Sequence, residues 1–200
     1  IQVMRMSSKE WVDLITFGDA EAIRKINYVD KVTSSSEWGG FEMETRTDEV
    51  LTGSLYGTDQ DYNIIEEANV QLGRFISEVD VDNHSMVAVI TPQTAFKVFG
   101  YLNCIGEQIE IDTWNGRLSF TVIGVLEGSM DASVMDMMIN TPLRRSLAVI
   151  PVTTINDVFG YEDKVDFFGV TVYGDVKSAD VAKSITNLLD IRHGTTDEYY

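Results

Sequence analysis

The chain has 200 residues and a formal net charge of −17, which results from 32 acidic and 15 basic residues. A hydrophobic content of 44% with three prolines predicts a folded protein and excludes a disordered chain. The acidic balance disfavours nucleic acid and anionic lipid headgroups as partners, because both would be repelled. It suits a face that stays clear of a membrane surface or meets a basic partner, although acidity alone mainly confers solubility.

The single cysteine, Cys104, excludes an intrachain disulfide. No run of about 18 apolar residues occurs, so no segment of this sequence is expected to cross a bilayer. The sequence opens at Ile1 without an initiator methionine or a signal peptide. This opening predicts an excised or processed fragment.

The N-terminal third is predicted to be mostly strands. Strands are expected at residues 1–6, 29–36 and 50–57. Asp19 is a suitable N-cap for a short helix over residues 20–26. The Gly39-Gly40 pair is a tight-turn signal and predicts a hairpin there. Acidic residues predict a further short helix from 59 to about 68.

The middle of the chain alternates strands with one compact helix. A buried strand at 87–90 leads into a helix at 92–99, which Gly100 ends, and strands follow at 107–112 and 118–126. Residues 129–145 lose this periodicity and are predicted to form a loop or an irregular helix.

The C-terminal part combines two strands and two helices. Strands are predicted at 147–152 and 165–173, with a helix capped by Thr153 or Thr154 between them. Ser178 is expected to cap the last helix. Its apolar stripe consists of Val181, Ile185, Leu188 and Leu189.

These elements predict an α+β fold with mixed, strand-rich sheets and few short helices. The chain is expected to form one domain over residues 1–200. Within it we predict two subdomains, 1–48 plus 163–200 and 49–162, the second inserted into the first.

Several short motifs follow one another in a fixed order from Leu55 to His193. They are LYGTDQDY at 55–62, GRFISEVD at 73–80, VAVI at 87–90, VFG at 98–100, NCIGEQIEI at 103–111, FTVIGVL at 120–126, IP at 150–151 and RHG at 192–194. Their series resembles the MacB-type periplasmic core domain of ABC transporter permeases, the FtsX-like permease family. Cys104 departs from the pattern, since members commonly have proline there, and residues up to about 49 match little.

The resemblance implies an extracytoplasmic domain of a membrane protein, inserted between the first two transmembrane helices of a permease. It implies no catalytic role, because ATP hydrolysis would belong to a separate ATPase subunit or domain. The implied function is mechanotransmission, in which ATP-driven transmembrane motion is coupled to export or to a partner protein. Implied partners are the ATPase, a second permease copy, and an adaptor protein or a peptide or lipoprotein cargo. The alternative is a secreted or surface-attached non-catalytic binding module.

A search for chemistry supports a non-enzymatic reading. No Walker motif is present, and neither His84 nor His193 lies near a nucleophile elbow, so both histidines are expected to be exposed. Glu78, Asp80 and Asp82 have calcium-loop spacing but lack the required glycine and glutamate, which predicts a solvated acidic loop. No cofactor or metal site is predicted. A further hypothesis, a hydrolase with an unfamiliar site, has no motif that supports it.

Five residues are predicted to have structural roles. Gly100 would cap a helix, Gly106 would adopt positive φ or allow a close approach, and Gly124 would mark a bulge or close packing. Gly73 and Arg74 belong to one motif, in which the guanidinium is expected to bind a carboxylate or a carbonyl.

Two features are candidates for contact with a partner or substrate. One is the methionine group Met130, Met135, Met137 and Met138. Its flexible thioethers suit adaptable apolar contacts, but they could equally be buried under a sheet, and copper binding is a weaker alternative. The other is Trp38, which would be an exposed contact residue or, like Trp11 and Trp114, part of the packing.

Overall fold

The computed structural model describes residues 1–4, 15–65, 68–128, 146–174 and 176–194. Eleven strands lie in these ranges: β1 (Gln2–Met4), β2 (Ile15–Thr16), β3 (Val29–Glu44), β4 (Val50–Thr58), β5 (Val70–Gly73), β6 (Val87–Ile90), β7 (Gln108–Thr113), β8 (Gly116–Leu126), β9 (Ser146–Pro151), β10 (Lys164–Val165) and β11 (Phe167–Val172). Six helices accompany them: α1 (Phe17–Ile23), α2 (Tyr62–Ile65), α3 (Glu78–Asp82), α4 (Pro92–Phe99), α5 (Val152–Phe159) and α6 (Ser178–His193). The predicted α+β class is confirmed.

Nine strands form one mixed sheet in the order β1-β11-β3-β4-β9-β6-β8-β5, and β7 pairs with both β8 and β3. The pair of β7 with β3 joins Asp112 to Glu42. Because of this pair, the six strands β3, β4, β9, β6, β8 and β7 close into a ring. The ring is a small barrel, and β1 and β11 extend the sheet beyond it along the first half of β3.

The alternation of side chains along the strands divides the apolar residues between two faces of the barrel. Leu55 of β4 belongs to the main core, whereas its neighbour Tyr56 belongs to a second cluster on the other face. The inner residues of β7, Ile109 and Ile111, are at most 1% exposed. The second cluster, with Phe75 among its members, is covered by the chain that connects β4 to β6.

The last helix, α6, packs its predicted apolar stripe onto the main core. Val181, Ile185 and Leu189 are buried, and Leu188 is partly buried against the same cluster. The stripe prediction is therefore confirmed. Among the described residues, no helix is both long enough and apolar enough to cross a membrane.

The predicted hairpin at Gly39-Gly40 is wrong, because β3 runs through this pair as one strand of 16 residues. The pairing with β4 joins Gly39 to Ser54 and Phe41 to Gly53, so that Gly40 is an extra, unpaired residue. Its φ of +83° is a conformation that favours glycine, and the result is a β-bulge. The glycine pair thus marks an irregularity within a strand and not a chain reversal.

Two predicted helix starts need correction. Asp19 is not the N-cap of α1. Thr16 is the N-cap, and Asp19 is the third helical residue, whose carboxylate accepts from the Thr16 backbone N–H in a capping box. Ser178 is the first residue of α6, and Lys177 precedes it as the N-cap.

Thr153 and Thr154 do not cap α5, which begins directly after Pro151 without a side-chain cap. Their hydroxyl groups instead donate to the Val81 and Ser85 carbonyl oxygens, at 2.6 and 3.0 Å. These bonds attach α5 to the segment around α3, which is a tertiary role that capping rules do not anticipate.

The predicted elements between residues 87 and 126 are confirmed to within two residues at each end. Helix α4 has Thr91 as its N-cap and ends at Gly100, whose φ is +85°. The division into subdomains 1–48 plus 163–200 and 49–162 stays a prediction. Strand β3 links the two, since it pairs with β11 along its first part and with β4 along its second.

Candidate partner-binding surface

Five aromatic side chains form one contiguous group, which we call the aromatic platform: Trp38, Phe41, Trp114, Phe159 and Tyr161. The Trp38 and Phe159 rings are stacked at 4.9 Å between centroids, and Phe41 and Phe159 at 5.3 Å. Tyr161 meets Trp38 edge-on at 4.6 Å. Trp114 lies against three of the others and is 59% exposed. The platform therefore presents the Trp114 ring to solvent on a packed base of the other four rings.

The bulge in β3 is what places two platform residues together. Side chains three positions apart in a regular strand point to opposite faces of the sheet. The extra residue Gly40 restores a common face for Trp38 and Phe41, which pair with Leu55 and Gly53 of β4 respectively. Phe41 is fully buried, while Trp38 remains half-buried above it.

The two-residue turn between β7 and β8 supplies the exposed tryptophan. Trp114 and Asn115 form this turn, since Thr113 and Gly116 are the last paired residues on either side. The Asn115 side-chain amide donates to the Val158 carbonyl oxygen at 3.2 Å, which attaches the turn to the end of α5. Phe159 ends that helix, so the same contact brings Trp114 against it.

One carboxylate, that of Asp166, lies beside the platform. The Glu37 carboxylate instead accepts from Ser54 Oγ at 2.8 Å, on the face of the sheet opposite to Trp38. Asp166 accepts from the Glu37 backbone N–H at 3.0 Å. Burial raises the pKa of Asp166, the hydrogen bond from Glu37 opposes this, and the Glu37 charge adds to the rise. Burial and the Asp166 charge also raise the pKa of Tyr161, so the carboxylate of Asp166 acts directly on the platform. Among the described residues, no lysine, arginine or histidine forms an ion pair with Glu37 or Asp166.

The carboxylates of the neighbouring β7–β8 hairpin differ in this respect. Arg117 binds Asp112 through Nε at 2.7 Å and Nη2 at 2.9 Å, and it reaches Glu110 at 3.1 Å. These exposed acids already have a cation, whereas Asp166 beside the platform has none in the described part of the chain.

The predicted contact residues have different outcomes. Trp38 is half-buried in the platform, which is compatible with the second of its two predicted alternatives, a role in packing. Trp114 was predicted to be packed, and its 59% exposure corrects this. The methionine group (Met130, Met135, Met137 and Met138) and Trp11 lie outside the described residues. Phe159 and Tyr161 were missed. The exposure of Trp114 was missed too, although the WNG sequence at 114–116 is a signal for a hairpin turn with an exposed tryptophan.

The predicted structural glycines lie at the junction of β5 and β8 and in the turn before β7. Gly73 pairs with Gly124, and a Cβ at either would lie 2.2 Å from a carbonyl oxygen of the opposite strand region. Both positions thus require close backbone approach. Gly106 has open space around it and a φ of +90°, and its N–H donates to the Val122 carbonyl oxygen.

Arg74 lies next to this junction and holds α3. Its guanidinium binds both oxygens of Asp80, at 2.5 and 3.0 Å, and also the Phe75 carbonyl oxygen. Burial by itself raises the pKa of Asp80, but the bonds from Arg74 and Ser77 outweigh it and lower the pKa to about 2. The prediction of a solvated acidic loop is therefore wrong for Asp80, which is 5% exposed and part of a helix.

The end of α6 is attached to the start of α1. Arg192 Nε and His193 Nε2 lie 2.5 and 2.9 Å from the two oxygens of Asp19, which is 1% exposed. Burial raises the pKa of Asp19, but the bonds from Arg192 and Thr16 and the His193 charge lower it overall. His193 is therefore largely buried, and its predicted exposure is wrong.

The two histidines and the cysteine have different surroundings. No three metal-ligating side chains converge in the part of the chain that the structure describes. His84 is exposed and contacts the exposed carboxylate of Asp157 at 2.5 Å. Cys104 is buried, and this burial is the main reason why the pKa of its thiol is raised.

Comparison with known proteins places this geometry in a family. The MacB-like periplasmic core domain family matches residues 1–188. The macrolide export ATP-binding/permease protein MacB of Neisseria meningitidis serogroup A is 27% identical over 93% of this chain and 27% of its own length. The protein of the same name from Vibrio parahaemolyticus is 29% identical over 93% of this chain and 26% of its own. The chain thus spans about a quarter of the curated relatives it matches.

Two solved structures share the fold. The periplasmic region of MacB from Actinobacillus actinomycetemcomitans has a TM-score of 0.77 at 22% identity, over 100% of this chain and 86% of that one. The extracellular domain of the noncanonic ABC-type transporter YknZ from Gram-positive bacteria has a TM-score of 0.75 at 19% identity, over 99% and 96% of the two chains.

Proposed function

The chain belongs to the MacB-like periplasmic core domain family and is an extracytoplasmic domain of an ABC transporter permease, and from this premise we propose that it acts by mechanotransmission. The domain couples ATP-driven motion of the transmembrane helices to export or to a partner protein. The family match over residues 1–188 carries this proposal. The family is that of a permease periplasmic domain and not a catalytic fold.

The attachment of both chain ends to one layer supports this role. The Ile1 amino group donates to the Val170 carbonyl oxygen at 2.7 Å, and β1 pairs with β11. The last turn of α6 is held by Asp19 of α1, which packs on β3. Motion at either end therefore enters the same group of elements.

Strand β3 offers a continuous path from this layer to the barrel. Its 16 residues extend over about 50 Å at about 3.3 Å per residue. Residues 29–35 pair with β11, while residues 35–44 pair with β4. The two pairings meet at Ser35 in one continuous strand, so displacement of the end layer would reach the platform at the far part of β3.

The proposed partners follow from the family. ATP hydrolysis would occur in an ATPase subunit or domain outside this chain, and two permease copies would form the transporter. The relatives are named for macrolide export, so a macrolide is the first cargo to test. Peptides, lipoproteins and an adaptor protein are further candidates.

The test measures ATP hydrolysis and export separately in the full-length transporter. Two variants are compared with the parent: deletion of the domain and Asp19→Asn, which weakens the attachment of α6. We expect deletion to abolish macrolide resistance or peptide export while ATP binding persists, and Asp19→Asn to lower export more than ATP hydrolysis. Asp157→Asn, at an exposed contact far from the chain ends in sequence, is the control. Export that survives deletion of the domain would refute the proposal.

A further inference from the structure

We infer that the aromatic platform with Asp166 is a docking surface for a basic, amphipathic segment of a partner protein. The inference rests on the proposed function only in assigning the partner to the transporter. Binding itself depends on the chemistry of the surface and is measured on this chain alone.

The aromatic part supplies the apolar contacts and a place for cations. Trp114 is 59% exposed yet packed on three other rings, so it is a rigid anchor. Exposed tryptophans that stand on a packed base are typical centres of protein interfaces. Faces of tryptophan rings also attract arginine and lysine side chains.

The acidic part indicates that the partner segment is positively charged. Asp166 is half-buried, and it has no cationic partner among the described residues. The fully buried carboxylates of the described residues have several partners: Asp19 has Arg192, Asp80 has Arg74, and Asp59 accepts from Thr33, Ser34 and Asp61. Asp166 accepts only from the Glu37 N–H among the described residues, so its charged form is costly in the free domain. A basic side chain from outside would relieve this cost.

The charge of the chain argues against two other occupants. A second copy would bring another net charge of −17 to an acidic surface. An anionic membrane would be repelled for the same reason. A small ligand would be covered from one side only at Trp114, whereas a protein segment can extend from the tryptophan to Asp166 along Trp38 and Tyr161.

The test uses two synthetic peptides of five residues, one alternating leucine with arginine and one alternating leucine with glutamate. Binding to the 200-residue chain is followed by tryptophan fluorescence and by calorimetry at two salt concentrations. We expect the arginine peptide to bind saturably in the sub-millimolar range, more weakly at high salt, and the glutamate peptide not to bind.

Variants then locate the binding. We expect Trp114→Ala and Asp166→Asn each to weaken binding about tenfold. Asp112→Asn is the matched control, since it removes a nearby carboxylate that Arg117 already neutralises, and it should change affinity less than twofold. Circular dichroism melts establish that each variant is folded, and Trp114→Ala alone decides the outcome if Asp166→Asn is unstable.

Four results would overturn the inference. They are equal binding of the two peptides, unchanged affinity in both Trp114→Ala and Asp166→Asn, binding of tetramethylammonium as tight as that of the arginine peptide, and dimerisation in sedimentation experiments that Trp114→Ala abolishes. Export that survives deletion of the domain, with normal peptide binding by the isolated chain, would contradict only the proposed coupling, so the two proposals fail separately.

Discussion

Replacing Asp80 by asparagine tests whether the Arg74 contact stabilises the fold. The bonds from Arg74 and Ser77 lower the pKa of Asp80 from its ordinary 3.8 to about 2 despite burial. Each pKa unit corresponds to about 1.36 kcal/mol, so the charged form of this 5% exposed side chain contributes about 2 kcal/mol to stability. We expect Asp80→Asn to lower the free energy of unfolding at pH 7 by about this amount.

The pH dependence provides a second, independent measurement. Because the pKa is lower in the folded state, the contribution of Asp80 is present above its unfolded pKa and is lost as the pH falls toward about 2. Urea unfolding of the parent and of Asp80→Asn should therefore differ at pH 7 and converge near pH 2. Asp112→Asn, at an exposed ion pair, is the control and should have little effect. A difference between parent and Asp80→Asn that does not change with pH would refute the electrostatic explanation.

Three further substitutions test the packing and the attachment of α6. A Cβ at Gly124 would lie 2.2 Å from a carbonyl oxygen, so Gly124→Ala should destabilise the chain by about 1–3 kcal/mol or more in urea unfolding, while Gly39→Ala, in open space, should be nearly neutral. Leu189→Ala should cost about 2–5 kcal/mol, because the side chain is fully buried, whereas Ile191→Ala, at 82% exposure, should stay within about 0.5 kcal/mol. Asp19→Asn should speed amide hydrogen exchange in the last turn of α6. The effect should be smaller in acid, because the pKa of Asp19 is lowered in the folded state and its stabilising charge is lost as the pH falls. Unchanged exchange would contradict the attachment.

Much of the secondary structure follows from local patterns. The segment from β6 to β8 was predicted because apolar alternation, a threonine–proline helix start and a terminating Gly100 act within a few residues of one another. Two of the errors share one cause. At Gly39-Gly40 and Thr153, local rules describe what each residue can do, but distant partners decide what it does. The error at Asp19 is local, since Thr16 is the N-cap and Asp19 completes its capping box.

The candidate surface was only partly predictable. Trp38 was identified as a contact candidate, but its neighbours Trp114 and Phe159 are 76 and 121 positions later in the sequence. No periodicity joins such residues, since their contact depends on the bulge at Gly40 and on the bond from Asn115 to α5. The sequence also does not show that Asp166 has no cationic partner among the described residues, because a sequence does not assign ion-pair partners to its many acidic residues.

The sequence by itself determined the fold class, the order of the main elements and, through ordered motifs, the family. Those properties depend on local periodicity, caps and turn residues, which a single strand or helix expresses without its neighbours. Only the tertiary structure decided that β7 closes the barrel against β3, that His193 is held by Asp19, and that five distant aromatic residues meet beside Asp166. These contacts depend on strand pairing and packing over long sequence separations. The side chain at one position does not specify which distant residue it will meet.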